Sequence, residues 1–154
     1  MPRAQGRRMK HYVCRACGNL VAMVNDTGRH IGCCSKNMEE LVPNTADASP
    51  EKHTPTIRRA GDTVTVTVGS VGSEHPMLPE HAVAWVCLVT NIGSQRKILR
   101  PDGRAEAKFL LVPGEKPIKA FAYCNMHGLW VAEAEGEGCR NLCDGEVKCD
   151  NSDK

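Results

Sequence analysis

The stretch Thr63-Val64-Thr65-Val66-Thr67-Val68 alternates threonine with valine over its whole length. Successive side chains of a β-strand point to opposite faces, so this period of two predicts a strand with one apolar face and one hydrated face. The β-branched side chains also favour a strand. The segment therefore predicts a sheet that covers a core on one side.

Further short apolar segments follow this strand, and residues typical of turns separate them. The predicted strands span residues 82–90, 107–112, 118–123 and 129–134. Several strands at this spacing, without helical periodicity, are typical of an antiparallel sandwich. We therefore predict a mainly β protein with an immunoglobulin-like sandwich over residues 51–135.

The bulk composition restricts the classes of partner. The chain has 154 residues, with 20 Lys and Arg against 18 Asp and Glu, so nucleic-acid binding is not expected. The longest apolar run, residues 82–89, is too short to span a membrane. The basic residues 1–10 do not lead into an apolar segment and do not form a secretory signal. These features predict a soluble, cytoplasmic protein.

Cysteine is frequent, with nine residues in the chain. In a reducing compartment this number favours metal ligation over disulfides. Four of them lie in the N-terminal region: Cys14, Cys17, Cys33 and Cys34. The first two form a Cys-x-x-Cys pair that is followed by Gly18, and the last two are adjacent and are preceded by Gly32. This set predicts a tetrahedral zinc or iron site, either a structural zinc ribbon or an iron–tetrathiolate that stores one electron.

Composition divides the chain outside the predicted sandwich into three segments. Residues 1–42 form a predicted metal-dependent module, and the proline-bounded residues 43–50 form a predicted linker. His11 and His30 are expected to be solvated bystanders of the thiolates, and Cys87 to be a small buried apolar residue. Residues 136–154 are expected to be a mobile tail. Its thiols could add a third metal site, form a redox-labile disulfide or have no role, and the last is favoured: Cys139, Cys143 and Cys149.

A second metal site is predicted by Cys124-Asn125-Met126-His127-Gly128 together with His53, His75 and His81. One thiolate and four imidazoles suit a transition metal, and the thiolate shifts its redox potential. Five protein ligands leave one octahedral position for a substrate. The pattern therefore predicts a redox-active catalytic site rather than a metal site with a structural role.

These motifs occur in the order found in one known family. With the four N-terminal cysteines, the chain contains Glu51-Lys52-His53, His75-Pro76-Met77, His81 and Cys124-Asn125-Met126-His127-Gly128. It thereby resembles desulfoferrodoxin, the two-iron form of superoxide reductase, over residues 11–134, with an N-terminal part similar to desulforedoxin and of rubredoxin type. The resemblance implies one-electron reduction of superoxide, with two protons, to hydrogen peroxide.

The resemblance also implies roles for particular residues. His53, His75, His81 and His127 would be equatorial ligands of a mononuclear iron, with Cys124 as the axial thiolate. Lys52 would attract the superoxide anion, and Glu51 is the candidate to occupy the sixth position after the product leaves. A second iron would occupy the four-cysteine site, where zinc is the alternative. A rubredoxin-like electron donor and a homodimer are the implied partners.

Two other interpretations remain open from the sequence. The first is a non-catalytic binding module in which a zinc ribbon is joined to an immunoglobulin-like sandwich. The second is a superoxide-dismutating enzyme, which would release oxygen. The chain also departs from the family pattern, because Ala82 follows His81 where an aromatic residue is expected.

Overall fold

The structure is a computed structural model, and it describes residues 9–135. Its elements are β1 (His11–Val13), β2 (Leu20–Ala22), β3 (Gly32–Cys33), β4 (Lys36–Asn37), β5 (Glu39–Glu40), α1 (Pro50–His53), β6 (Pro55–Ala60), β7 (Thr63–Ser70), β8 (Ser73–Glu74), β9 (Val83–Thr90), β10 (Ser94–Ile98), β11 (Glu106–Leu110), β12 (Pro117–Cys124) and β13 (Gly128–Glu133). In this described part no helix is long and apolar enough to cross a membrane.

Strands β6 to β13 form an antiparallel sandwich. One sheet has the order β10-β9-β12-β13; the other has the order β11-β7-β6, with the short strand β8 also paired to β7. The predicted fold class, a mainly β chain with a cysteine-rich module before a sandwich, is confirmed. The strands predicted from alternation correspond to β7, β9, β11, β12 and β13.

The core between the two sheets is built on the valine face of β7. Val64, Val66 and Val68 are at most 1% exposed. They belong to a buried cluster that includes Leu88 of β9 and Phe109 of β11. Full burial of a valine side chain stabilises the fold by roughly 1.5–3 kcal/mol. The period of two in the sequence thus identifies the strand that covers the core.

The N-terminal module packs on the outer face of the sheet β10-β9-β12-β13. It consists of a three-stranded sheet, β2-β1-β5, and the hairpin β3-β4. Met9 and Leu41 of this region lie against a second apolar cluster that contains Cys87, Val89 and Phe121. Strand β9 is therefore covered on both faces, and Cys87 is buried as expected.

His11 is buried, so the prediction of a solvated side chain was wrong. Only 2% of it is exposed. Its ring stacks on Trp85, with centroids 5.3 Å apart, and meets the edge of Phe121 at 5.0 Å. The outer face of the sheet is apolar, and the imidazole that β1 supplies helps to shield it from water. His30 is exposed, in agreement with the prediction.

Asn44, within the predicted linker, is bonded to β13. Its backbone N–H donates to the carbonyl of Leu129 at 3.0 Å. Its side chain accepts from the N–H of Val131 at 2.9 Å and donates to the carbonyl of Val131 at 3.1 Å. These bonds fix the chain between the two modules at one point. The predicted tail and its three cysteines lie outside the described residues.

Candidate metal centres

Five side chains from separate elements converge at one end of the sandwich. Their nitrogen and sulfur atoms all lie within 4.8 Å of one another, and the residues are His53, His75, His81, Cys124 and His127. The shortest separations are 2.9 Å between His53 Nε2 and His127 Nδ1, and 3.2 Å between His75 Nε2 and Cys124 Sγ. The structure thus brings together every residue predicted for the second site.

A short helical turn places His53. Pro50 occupies the first position of α1, where its missing N–H costs nothing, and His53 is the last residue. The His53 side chain turns back, and its Nδ1 lies 2.7 Å from the carbonyl oxygen of Ser49. Only 3% of His53 is exposed, so the turn delivers a buried imidazole from an otherwise exposed segment.

A close backbone approach places His75. Gly69 of β7 has a φ of +92°, and a Cβ there would lie 2.5 Å from the carbonyl oxygen of Ser73 and 2.9 Å from the backbone nitrogen of His75. Only glycine combines this dihedral with so near a neighbour. The N–H of His75 then donates to the carbonyl of Val68 at 3.1 Å. Gly69 therefore allows the loop that carries His75 to return to β7.

Backbone carbonyls select the tautomer of two of these histidines. His53 Nδ1 faces the Ser49 carbonyl, and His75 Nδ1 lies 2.6 Å from the Pro76 carbonyl. A carbonyl oxygen only accepts hydrogen bonds, so each Nδ1 carries the proton and each Nε2 presents its lone pair to the cluster. Such outer contacts are typical of metal-binding histidines.

His81 gives a direct test of whether a metal fits. Its Nε2 is buried and has no hydrogen-bond partner among residues 9–135. A buried polar atom without a partner is costly, and a lone pair aimed into a group of three imidazoles and a thiolate has the chemistry of a ligand. The donor set therefore fits a transition metal.

Burial favours the neutral form of three of these imidazoles. It lowers the pKa of His75 to about 4, aided by the positive charges that the neighbouring histidines would carry. Burial also lowers the pKa of His53 and of His81, again with contributions from neighbouring histidines. Neutral imidazole is the form that ligates a metal, so the site is prepared for one at neutral pH.

The four N-terminal cysteines form the second group. The sulfur atoms of Cys14, Cys17, Cys33 and Cys34 all lie within 4.8 Å of one another. Backbone N–H groups of Cys17 and Ala16 hydrogen-bond to the Cys14 sulfur and lower its pKa to about 7. These backbone donors therefore favour the thiolate form of Cys14.

The adjacent cysteine pair is accommodated by a strained turn. Cys34 and Ser35 have φ values of 49° and 60° and connect β3 to β4. Two consecutive positive φ angles characterise the tight hairpin turn that suits the twist of antiparallel strands. The bend expected at Cys33-Cys34 is thus present, and it directs both sulfur atoms toward the same point.

The chain is similar to proteins of one known family. A family model described as desulfoferrodoxin matches residues 45–133. A desulfoferrodoxin from Syntrophotalea carbinolica is 40% identical over 126 residues, which cover 82% of this chain and 97% of that protein. The chain belongs to the desulfoferrodoxin family.

Two relatives named for their activity extend this relationship. The crystal structure of the superoxide reductase from Treponema pallidum matches 82% of this chain and 100% of its own, with 35% identity and a TM-score of 0.70. A superoxide reductase from Pyrococcus horikoshii is 40% identical over 109 residues, covering 59% of this chain and 92% of that protein. As a member of the desulfoferrodoxin family, this chain is thus related to oxidoreductases.

The two charged residues predicted for this desulfoferrodoxin-family site lie on α1. Glu51 and Lys52 are both exposed, directly before the buried His53. The positive charge of Lys52 contributes to the lowered pKa of His53, after burial and the neighbouring histidines. Lys52 is thus an exposed cation adjacent in sequence to one residue of the cluster.

Two residues near the centre were missed by the sequence interpretation. Trp130 stacks on His53, and its Nε1 donates to the carbonyl of His127 at 3.2 Å. Asn125 binds the segment that carries His81. The motif Cys-Asn-x-His-Gly-x-Trp contains both residues, and the bond from Trp130 to His127 is local. The stacking of Trp130 on His53 and the bonds of Asn125 join residues far apart in sequence, which no local pattern indicates.

Proposed function

We propose that the protein is a superoxide reductase. The reaction joins one superoxide anion, one electron and two protons to give hydrogen peroxide, and the electron comes from an external donor. The observation that carries the proposal is the convergence of four imidazoles and one thiolate at a single buried point. Membership of the desulfoferrodoxin family supports it.

In this proposal His53, His75, His81, His127 and Cys124 hold a mononuclear iron, which when bound transfers one electron to superoxide. Four neutral imidazoles and one thiolate leave the ferrous site with a net positive charge. That charge favours an anionic substrate, while the sulfur donates electron density and eases oxidation.

Lys52 is proposed to steer superoxide to the site. Lys52 is exposed and directly precedes His53, and a positive charge at the mouth of a site raises the rate at which an anion arrives. Glu51, its neighbour, would supply a carboxylate able to bind the iron in the absence of substrate. Both side chains are exposed, so either one is free to reorient.

The buried histidines are not proposed to supply the protons. The Nδ1 hydrogens of His53 and His75 are committed to the carbonyls of Ser49 and Pro76. Losing either proton would disturb the orientation of a ligand. We therefore propose that both protons come from water at the exposed face.

For the four-cysteine site we propose a second iron, with zinc as the alternative occupant. A tetrathiolate iron would store one electron on the module that packs against β12, the strand that ends in Cys124. A small rubredoxin-like donor and a homodimeric assembly complete the proposal, and both rest on the family resemblance.

Pulse radiolysis of the iron-analysed, reduced protein, in a solution that contains the oxygen from which superoxide is formed, tests the function directly. We expect second-order oxidation of the ferrous site by superoxide, formation of hydrogen peroxide, consumption of external electrons and no release of oxygen. Release of oxygen without a donor would instead identify a dismutase. A colourless protein that contains only zinc would favour the non-catalytic binding module.

Replacement of the proposed sulfur ligand gives a second test. Cys124→Ser should abolish both the thiolate-to-iron charge-transfer absorption of this site and the reaction with superoxide. The absorption of the tetrathiolate site should remain, since its ligands lie in a separate module. Full activity in this variant would remove Cys124 from the mechanism.

A further inference from the structure

Asn125 binds the loop that carries His81 on both sides of that histidine. Its backbone N–H donates to the carbonyl of Ala82 at 3.1 Å. Its side-chain oxygen accepts from the N–H of Ala82 at 3.0 Å, and its side-chain nitrogen donates to the carbonyl of Glu80 at 3.1 Å. Three hydrogen bonds thus attach residues 80–82 to the residue that follows Cys124.

The loop needs this external support. On its own side it is closed by a short bridge between Leu78 and His81, with hydrogen bonds of 2.9 Å and 3.1 Å between their backbones. His53 and His75 are oriented by carbonyls that bind their rings, whereas Nε2 of His81 has no partner among the described residues. No hydrogen bond to Nε2 orients the His81 ring, so its direction depends on its contacts with the rings of His75 and His127 and on how its backbone is held.

The ladder between β9 and β12 is irregular at the same place. The pairing shifts between Tyr123 and Cys124, so Cys124 lies opposite Val83. Beyond this irregularity, the side-chain amide of Asn125 supplies the hydrogen-bond donor and acceptor that the backbone of the next residue would supply in a regular strand. Asn125 therefore extends the attachment of the two chains as far as His81.

The same arrangement occurs once more at the other end of β12. The backbone N–H of Asn91 donates to the carbonyl of Lys116 at 3.0 Å. Its side chain accepts from the N–H of Lys116 at 2.8 Å and donates to the carbonyl of Gly114 at 3.2 Å. This asparagine encloses Glu115 as Asn125 encloses His81, but at the opposite end of a strand about 23 Å long.

We infer that Asn125 is a positioning residue that sets the direction of His81 toward the other four ligand atoms before a metal binds. The inference rests on the proposed metal site and not on its reaction with superoxide. It assigns to the asparagine of the Cys-Asn-x-His motif a specific task, the attachment of the third histidine loop to the strand that carries the sulfur ligand.

Matched variants at the two asparagines test this inference. Asn125→Ala and Asn91→Ala each remove two side-chain hydrogen bonds of the same kind, so their metal-free forms should lose similar stability. Competition with a chelator for Fe²⁺, followed through the charge-transfer absorption of the histidine–cysteine site, should show iron affinity reduced 10- to 100-fold in Asn125→Ala. Asn91→Ala should retain the affinity of the unaltered protein.

Each possible result has a clear consequence. Unchanged iron affinity in Asn125→Ala, or equal losses in both variants, would overturn the positioning role, as would an unaltered protein that binds no iron at His81. If iron binds as expected but superoxide is not reduced, the proposed function fails and the inference stands. Should Asn125→Ala not fold, Asn125→Asp, which keeps the acceptor for Ala82, should show a smaller loss of affinity. Full affinity in that folded variant, with the Glu80 bond removed, would also count against the role.

Discussion

The indole ring of Trp130 stacks on the imidazole of His53, with ring centroids 4.9 Å apart and 26° between the planes. The same indole donates a hydrogen bond to the carbonyl of His127. One buried side chain of β13 thus supports two of the four histidines at the centre. This support comes from the core and not from the loops that carry the ligands.

Trp130→Phe should therefore weaken metal binding while the fold persists. Phenylalanine keeps an aromatic ring beside His53 but cannot donate to the His127 carbonyl, which should cost about 1–3 kcal/mol of stability. Loss of this outer contact should reduce iron affinity 10- to 100-fold, as measured by chelator competition. Trp85→Phe is the control, because Trp85 belongs to the cluster on the outer face of the sheet. An equal loss of affinity in both variants would contradict the support that we assign to Trp130.

Lys52→Ala should slow the capture of superoxide without releasing the iron. Removing one positive charge at the rim should reduce the second-order rate constant about tenfold at low salt, the lower limit of electrostatic steering. The dependence of that constant on ionic strength should become flatter, since salt screens the same interaction. Lys116→Ala is a suitable control, because Lys116 is also exposed but precedes β12 at the end away from Cys124. Unchanged capture kinetics in Lys52→Ala would remove Lys52 from the mechanism.

Gly69→Ala should disrupt the loop that carries His75. The new Cβ would meet backbone atoms at 2.5–2.9 Å in a conformation with a φ of +92°, so we expect a loss of at least about 3 kcal/mol in the free energy of unfolding. Gly72→Ala provides a matched control, because Gly72 has a φ of +78° with no atom within 4 Å of the new Cβ. This control should lose only about 1–2 kcal/mol. Chemical denaturation of both variants measures the difference, and equal losses would argue against the close approach.

His11 should make stability depend on pH. Burial, with a smaller contribution from the charge of Arg96, lowers the pKa of His11 from 6.5 to about 4. The unfolded chain therefore binds a proton at a higher pH than the folded chain does. Stability should be fully present above pH 6.5 and should fall as the pH drops to about 4, by about 3 kcal/mol from this group.

Denaturation curves at several pH values can isolate this effect. His11→Gln, which does not titrate in this range, should show a shallower loss of stability between pH 6.5 and pH 4 than the unaltered chain. His30→Gln should leave the profile unchanged, because His30 is exposed. Parallel profiles for all three proteins would show that burial of His11 does not contribute.

The local sequence pattern was sufficient to predict the strands that face the core. The alternation at Thr63–Ser70 and the apolar run at Val83–Thr90 predicted β7 and β9, because burial on one face or on both leaves a clear trace in the sequence. Strands Pro55–Ala60 and Ser94–Ile98 were not predicted. Both lie at the edges of their sheets and carry exposed charged residues, so they lack the apolar alternation that burial imposes.

The cluster at the second site was predicted because its residue types and spacings are unusual together. Its supports were not, because the contacts of Trp130 with His53 and of Asn125 with Glu80 join segments separated by 77 and 45 residues. His11 shows the same limit, since its burial depends on the aromatic face of a sheet that begins much later in the chain. Contacts of this kind follow from the folded topology and leave no local signal.

The small cysteine-rich module also has a consequence for the handling of the protein. It covers Val89 and Phe121 on the outer face of the sheet β10-β9-β12-β13, and a unit with so little core of its own depends on an ion for its shape. Removing that ion would expose an apolar surface on a sandwich that is otherwise intact. A chain stripped by chelators should then precipitate or self-associate before its larger half melts.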